Sequence, residues 1–162
     1  MARSALLNVM TQAAMKAGRS LIRDFGEVQN LQVSMKGPAD FVSTADRKAE
    51  EIVFQELSRS RPDWGFLMEE RGELEGKDSQ HRWIVDPLDG TTNFLRGIPH
   101  FAVSIACKYR GRLEHAVIVD PVRQEEFTAS RGRGAQLNGR RLRVSSRTCL
   151  LYTSPSPRDR QK

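Results

Sequence analysis

Cysteine, histidine and long apolar runs are all scarce in this sequence of 162 residues. Two cysteines cannot build a disulfide framework, so Cys107 and Cys149 are predicted to be free thiols. No run approaches the roughly 18 apolar residues that a membrane-crossing helix needs, and the amphipathic start lacks the unbroken apolar segment of a signal peptide. We therefore predict a cytoplasmic protein with no membrane partner.

The three histidines, His81, His100 and His115, show no ligand spacing to one another, which favours a structural role for each. No internal repeat is visible either. With 38% hydrophobic and 28% charged residues, the composition is that of a globular domain that can bury a sizeable core.

The formal net charge is +6, and the basic excess lies in one stretch without an acidic residue. Its members are Arg131, Arg133, Arg140, Arg141, Arg143 and Arg147. We interpret this stretch as a solvated rim or a subunit contact, and a surface for nucleic acid or another anionic partner is the alternative.

Two amphipathic helices are predicted at the start of the chain. Between Ser4 and Phe25 apolar residues recur at steps of three and four, and Gly26 is expected to end the helix. The segment Gln32 to Asp40 contains Gly-Pro and predicts a turn or short hairpin. The next four-residue motif, Ser43 to Asp46, has the form of a capping box, so a second helix should run to about Arg61.

The remaining segments are short and β-branched or alternating, which predicts strands. They are Gly65 to Met68, Arg82 to Asp86, Phe101 to Tyr109, Arg112 to Asp120 and Gln124 to Ala129. Arg110-Gly111 predicts a hairpin turn. Two helices followed by a meandering sheet indicate an α+β fold, with the helices covering one face of a mostly antiparallel sheet.

Carboxylates follow two of these predicted strands. Glu69 and Glu70 come after the first strand, and Asp86 and Asp89 end the second. Hard cations such as magnesium prefer oxygen ligands, and the two aspartates can converge on a metal together with the Leu88 carbonyl. The alternative is that the aspartates only form a turn and the glutamates lie in a solvated loop.

The continuation from Gly90 to Phe94 predicts a short helix whose free backbone N–H groups would bind a phosphate. Gly90 would let the phosphate approach the backbone closely. Thr91 would place a hydroxyl beside an attacking water, where a further carboxylate could act as a base. Asp46 is the candidate for that carboxylate, and its alternative role is only to cap a helix.

The segment Trp83 to Phe94, which reads WIVDPLDGTTNF, resembles the signature of the inositol monophosphatase family. Other family blocks are matched by the stretches Asp40 to Asp46, Met68 to Glu70, Pro99 to Ala106 and Gly134 to Gly139. The resemblance covers about residues 1–147 and is closest to bacterial members. It implies the N-terminal half of a layered αβαβα sugar-phosphatase fold.

The resemblance also implies a set of magnesium ligands. Glu69, Asp86 and the Leu88 carbonyl would hold one ion, and Asp86 and Asp89 would share a second. Two or three ions occupy the complete family site, and Lys36 would lie near the third, weaker position or simply at the surface.

The catalytic residues implied by the resemblance are Asp46, Glu69 and Thr91. Glu69 and Thr91 would position the attacking water, and Asp46 would hydrogen-bond Thr91. The amides of Gly90 and Thr91 would bind the phosphate. The expected reaction is in-line hydrolysis of a phosphomonoester, with inositol monophosphate as the default substrate.

The chain departs from the family in length. Family members are nearly twice as long, and their second half carries a W-D-x-x-A-G segment that supplies a further metal aspartate and is absent here. We divide the chain into a metal- and phosphate-binding domain, 1–147, and an unrelated, disordered tail, 148–162. A half of this kind should be poorly soluble or loosely packed, because it exposes apolar sheet surface. It should also be weakly active or inactive.

The resemblance favours a homodimer for the complete parent enzyme. Two alternatives to an inositol phosphatase stay open at the sequence level. One is a related phosphatase for a sugar or nucleotide phosphate, and the other is a binding module for RNA or the transcription machinery.

Overall fold

The computed structural model describes residues 4–31 and 38–146 of the chain. It contains three helices, α1 (Ala5–Leu31), α2 (Pro38–Ser60) and the short α3 (Thr91–Leu95). Within this part, no helix is both long and apolar enough to span a membrane. The predictions for Lys36, Cys149, Arg147 and the tail 148–162 concern residues outside the described ranges, as does most of the predicted turn at 32–40.

Helix α1 continues five residues past Gly26, so the predicted stop at that glycine is wrong. Gly26 is exposed, and a Cβ added there would meet no atom within 4 Å. A glycine inside a helix costs only about 1 kcal/mol relative to alanine. That cost does not end a helix whose apolar face is already packed on the core.

Helix α2 begins at Pro38 rather than near Ser43, so the capping-box interpretation is also wrong. Proline is well suited to the first turn of a helix, because it fixes φ and lacks only an N–H that would have no intrahelical partner. Asp46 therefore lies two turns inside α2, on the face that is buried against the sheet. The predicted end of the helix before Pro62 is confirmed by its last residue, Ser60.

The described residues form one eight-stranded sheet with the strand order β2-β1-β3-β4-β5-β6-β7-β8. The strands are β1 (Trp64–Met68), β2 (Gly72–Leu74), β3 (Asp78–Asp89), β4 (Ala102–Tyr109), β5 (Arg112–Asp120), β6 (Glu125–Ser130), β7 (Gly134–Leu137) and β8 (Arg140–Arg141). Among the strands of the described residues, only β1 and β3 pair in parallel. The predicted α+β class and all five predicted strands are confirmed, whereas β2, β7 and β8 were not predicted.

Helices α1 and α2 cover one face of this sheet. Alternate residues of β4 and β5 point into the core, and Trp83 and Phe94 are both fully buried there. The predicted turn between β4 and β5 is confirmed, since Arg110 and Gly111 both have positive φ angles of 48° and 80°. On the opposite face Leu67 and Ile118 remain 42% and 43% exposed.

Candidate metal and phosphate site

The parallel pairing of β1 and β3 brings two acidic segments to one edge of the sheet. Met68, the last residue of β1, pairs with Val85. Glu69 therefore emerges beside Asp86, and the two carboxyl groups lie near enough to shift each other's pKa. The sequence placed both residues at strand ends, and the parallel register is what makes them neighbours.

A bulge in β3 separates Asp86 from Asp89. Asp86 pairs with Ser104 and Asp89 with Ala102, so β3 contains one residue more than β4 in this interval. The Leu88 amide donates a hydrogen bond to Asp86 Oδ1 at 3.2 Å. Because the Leu88 side chain is only 1% exposed, the bulge is anchored in the core.

The loop after β3 leads directly into α3, as predicted. Gly90 is the N-cap of this helix and has a φ of 92°, a conformation that favours glycine. A Cβ at this position would lie 3.0 Å from the His100 carbonyl oxygen and 3.2 Å from Phe101 Cα. The Asn93 side-chain amide donates to the same His100 carbonyl at 2.8 Å. The start of α3 is thus held against the loop that precedes β4, with no room for a side chain at Gly90.

Asp46 approaches this edge from α2 and is 4% exposed. Its Oδ1 atom has no hydrogen-bond partner among the described residues. Burial, followed by the charges of Glu69, Glu70 and Asp86, raises the pKa of Asp46 from 3.8 to about 7. The Thr91 hydroxyl donates to the Leu88 carbonyl at 3.0 Å, so the expected hydrogen bond between Asp46 and Thr91 is not formed in this arrangement.

The other carboxyls of the cluster are also perturbed. Burial first, and the neighbouring Asp86 second, raise the pKa of Glu69. Burial and the charge of Asp89 raise the pKa of Asp86, although the Leu88 amide opposes the shift. Three acids at one edge therefore hold protons more tightly than usual, which is expected when carboxyls are buried and lie beside like charges.

The donor set suits a hard divalent cation, because it consists of carboxylates and the Leu88 carbonyl. In the ranges 4–31 and 38–146, however, no three His, Cys, Asp or Glu side chains are placed together as a metal-binding group. Glu69 and Asp86 lie close enough for each carboxyl to shift the pKa of the other. Asp89 is exposed at the end of β3. The chemistry of the donors therefore fits a hard divalent cation.

A pocket of about 310 Å³ opens beside Asp89 and Gly90. Its polar lining includes His100, Asp120 and Arg123. The pocket was not predicted from the sequence, because its walls combine the segment from β3 to α3 with residues of β4, β5 and β6. Space for a small polar molecule therefore lies next to the start of α3.

Sequence reasoning also missed Glu50 and Arg71. Glu50 is 1% exposed and accepts a hydrogen bond from the Glu70 amide at 2.8 Å. Arg71 Nε lies 3.3 Å from Glu50 Oε1. The available signal was the position of Glu50 four residues after Asp46, which places both acids on one face of α2.

The histidines lie apart from this edge or at its rim. His81 stacks between Trp64 and Tyr109, with ring centroids at 4.1 and 4.5 Å. His115 Nδ1 lies 2.9 Å from Ser130 Oγ. Both arrangements agree with the predicted structural role, while the exposed His100 faces the pocket.

The sequence model of the inositol monophosphatase family matches residues 2–161. The chain is 70% identical over 153 residues to inositol-1-monophosphatase from Mesorhizobium japonicum, which covers 94% of this chain and 58% of that protein. It is 53% identical over 147 residues to Nus factor SuhB from Pseudomonas aeruginosa, covering 90% and 54% of the two chains.

Among solved structures, the extragenic suppressor protein suhB from Bartonella henselae matches with a TM-score of 0.81 and 69% identity. That match covers 89% of this chain and 56% of the other. Inositol monophosphatase from Anabaena matches with a TM-score of 0.75 at 34% identity, covering 90% and 51%. The chain thus spans little more than half the length of these relatives.

Proposed function

The chain belongs to the inositol monophosphatase family, and on that premise we propose that it carries the metal and phosphate half of a magnesium-dependent phosphomonoesterase. The main support is the cluster formed by Asp46, Glu69 and Asp86 beside Gly90, in which all three acids have raised pKa values. A cluster of this kind weakens the fold unless a cation balances it, so a ligand is the simplest reason for its presence.

Glu69, Asp86, Asp89 and the Leu88 carbonyl are the proposed magnesium ligands. When bound, magnesium supplies the positive charge that offsets these carboxylates and stabilises the leaving oxygen of the phosphoester. The bulge in β3 lies between Asp86 and Asp89, so both aspartates and Leu88 lie at the same end of this strand. Two or three ions per complete site remain a prediction.

Asp46 is the proposed base. Without metal, burial first and the charges of Glu69 and Glu70 next raise its pKa to about 7, so it holds a proton more tightly than an ordinary aspartate. Thr91 orients the attacking water through its hydroxyl, and Glu69 shares that task. The amides of Gly90 and Thr91 lack intrahelical acceptors at the start of α3 and bind the phosphate oxygens.

The proposed substrate is a small phosphorylated polyol, with inositol monophosphate as the default because a relative at 70% identity carries that activity in its name. A sugar or nucleotide phosphate is the alternative within the same chemistry. A homodimer in the parent enzyme and a cytoplasmic location are further predictions. Because the chain spans about half of its relatives, we expect weak activity from these 162 residues.

The first test is phosphate release from inositol 1-phosphate, with and without Mg²⁺, by the unsubstituted chain and by Asp89→Asn. We expect weak, Mg²⁺-dependent release that falls at least about 100-fold in the variant, since even the outer partners of metal ligands contribute about 10–100-fold. Asp63→Asn is the matched control, because Asp63 is an exposed aspartate before β1. Release that is independent of Mg²⁺, or equal in Asp89→Asn, would contradict the proposal.

A second candidate function is contact with RNA or a transcription complex. One relative is named Nus factor SuhB, and Arg133, Arg140, Arg141 and Arg143 are all exposed around the β7–β8 edge of the sheet. Arg131 forms an ion pair with Glu114 at 3.2 Å and is therefore less available to bind an anionic partner. A salt-dependent RNA mobility shift that persists in Asp89→Asn would support this function separately from the enzyme.

A further inference from the structure

We propose that Glu50 is a positioning residue for the candidate metal site, holding the turn after β1 so that Glu69 meets Asp86. The inference rests on the proposed function, because it concerns the placement of a proposed magnesium ligand. Glu50 itself touches neither Asp86 nor the start of α3 in the described contacts. It acts through the backbone of the turn.

Glu50 is buried to an unusual degree for a carboxylate. The residue is 1% exposed and ranks among the largest fully buried side chains of the described chain. A carboxylate is almost never buried to this degree unless it is paired. Both of its oxygens have partners: Oε2 accepts from the Glu70 amide at 2.8 Å, and Oε1 lies 3.3 Å from Arg71 Nε.

Both partners of Glu50 lie in the turn between β1 and β2. The β1–β2 turn consists of Glu69, Glu70 and Arg71, because Met68 pairs directly with Gly72 across the hairpin. Glu50 therefore binds two of the three turn residues, and the third is the proposed ligand. Fixing the amide that directly follows Glu69 restricts the direction in which the Glu69 side chain leaves the strand.

Three residues of α2, Glu50, Glu51 and Phe54, contact the Arg71 side chain. Glu50 and Glu51 both form ion pairs with its guanidinium, and the guanidinium carbon lies 4.6 Å from the centre of the Phe54 ring. Helix α2 thus holds both the backbone and a side chain of this turn. The same helix presents Asp46 one turn earlier, so it sets two components of the site together.

A purely stabilising role explains this arrangement less well. A buried ion pair commonly contributes no more to stability than well-packed apolar residues of the same volume, because desolvation offsets the attraction. An apolar residue at position 50 could pack against the core, but it could not hold the Glu70 amide. The geometric function is therefore what requires a carboxylate here.

The test compares Glu50→Leu, Glu50→Gln and the matched control Glu51→Leu in the 162-residue chain. Glu50→Leu keeps the volume and removes the acceptor, whereas Glu50→Gln keeps one oxygen for the Glu70 amide. Glu51 contacts the same arginine from a partly exposed position without binding the Glu70 amide. Each protein is titrated with Mn²⁺, and the hydrogen exchange of the Glu70 amide and the thermal unfolding are measured without metal.

We expect Glu50→Leu to weaken Mn²⁺ binding at least about tenfold, the usual loss for a residue that orients a metal ligand, and to speed exchange at Glu70. Glu50→Gln should restore binding to within about threefold of the unsubstituted chain, and Glu51→Leu should match that chain. If Glu50 were purely structural, Glu50→Leu would lower the unfolding temperature, but Glu50→Leu and Glu50→Gln would not differ in their affinity for Mn²⁺.

Three results would overturn the inference. If Glu50→Leu binds Mn²⁺ like the unsubstituted chain, Glu50 does not position the site, although the proposed function survives. If the Glu70 amide of the unsubstituted folded chain exchanges without protection, the hydrogen bond is absent, and this result does not depend on any variant folding. If the unsubstituted chain binds no Mn²⁺, the proposed function fails first and the inference fails with it.

Discussion

Asp46 combines a buried position with an unsatisfied oxygen, which sets it apart from the surface acids of the chain. It is 4% exposed, and its Oδ1 has no partner within the described residues. A buried acceptor without a donor costs about 1–3 kcal/mol, and a buried charge costs more. Asp46 therefore lowers the free energy of unfolding, which is consistent with its proposed role in the reaction.

The pKa of Asp46 predicts how stability should change with pH. The folded value of about 7 lies above the ordinary value of 3.8, so between these values the folded chain binds a proton that the unfolded chain lacks. The free energy of unfolding should then fall as pH rises from about 4 to about 7. Asp46→Asn removes the titrating carboxyl, so the fall in the free energy of unfolding that is due to Asp46 should disappear.

We therefore predict that Asp46→Asn, in chelator without metal, is more stable than the unsubstituted chain at pH 8 by about 1–3 kcal/mol. The difference should shrink at pH 5, where Asp46 is protonated. Urea unfolding at both pH values measures it, with Asp63→Asn as the control for loss of an exposed carboxylate. A variant that is less stable than the unsubstituted chain at pH 8 would mean that Asp46 is not strained by its neighbours.

At the same scale, the sequence predicted several residues that lie at this edge of the sheet but not the residues that support them. Asp86, Asp89 and Gly90 were predicted from local turn and helix chemistry, and the structure places all three at one sheet edge. Glu50 was missed because its partner is a backbone amide 20 residues away, and no local pattern encodes such a contact. The spacing of residues predicts which side chains are neighbours within one helix or strand. It does not predict contacts between different helices, strands and turns.

At the scale of elements, both helices are longer than the sequence indicated. Gly26 does not stop α1, and Pro38 begins α2, although each residue was expected to interrupt structure. A local propensity of about 1 kcal/mol at one glycine does not end a helix, and a proline in the first turn carries no penalty. The positions of the strands were predicted more successfully, because alternating apolar and polar residues indicate which face of a strand is buried.

Helix α1 offers two glycines with opposite surroundings. A Cβ on Gly18 would lie 2.9 Å from Pro121 Cβ, whereas one on Gly26 would meet nothing within 4 Å. Gly18 thus lets α1 approach the turn after β5, and Gly26 has no packing role.

We predict that Gly26→Ala raises the free energy of unfolding by about 0.5–1 kcal/mol through helix propensity. Gly18→Ala should lower it by about 1–3 kcal/mol despite the same gain, because a proline ring cannot yield easily. Urea unfolding of the pair provides the measurement, each variant serving as control for the other. Equal stabilisation by both would show that α1 does not pack closely on the turn.

For the whole molecule, the described residues form two helices on one face of a sheet whose other face is uncovered. Leu67 and Ile118 remain exposed there, and the chain spans little more than half of its relatives. Alternating strands predicted the sheet from the sequence, but they did not reveal the parallel β1–β3 pair that assembles the acidic edge. That pairing depends on the crossover from β1 through β2, an element too short to predict.

We propose a divalent cation site at this edge of the sheet, assembled from β1, β3 and α2. The most direct measurement is the unfolding temperature of the chain in excess Mg²⁺ and in NaCl of equal ionic strength, for the unsubstituted protein and Asp86→Asn. A ligand that binds only the folded state contributes about 2.7 kcal/mol at 100 times its dissociation constant, so the unsubstituted chain should gain about 5 °C in Mg²⁺. Asp86→Asn should gain none. An equal gain in both proteins, or no gain in either, would contradict the account.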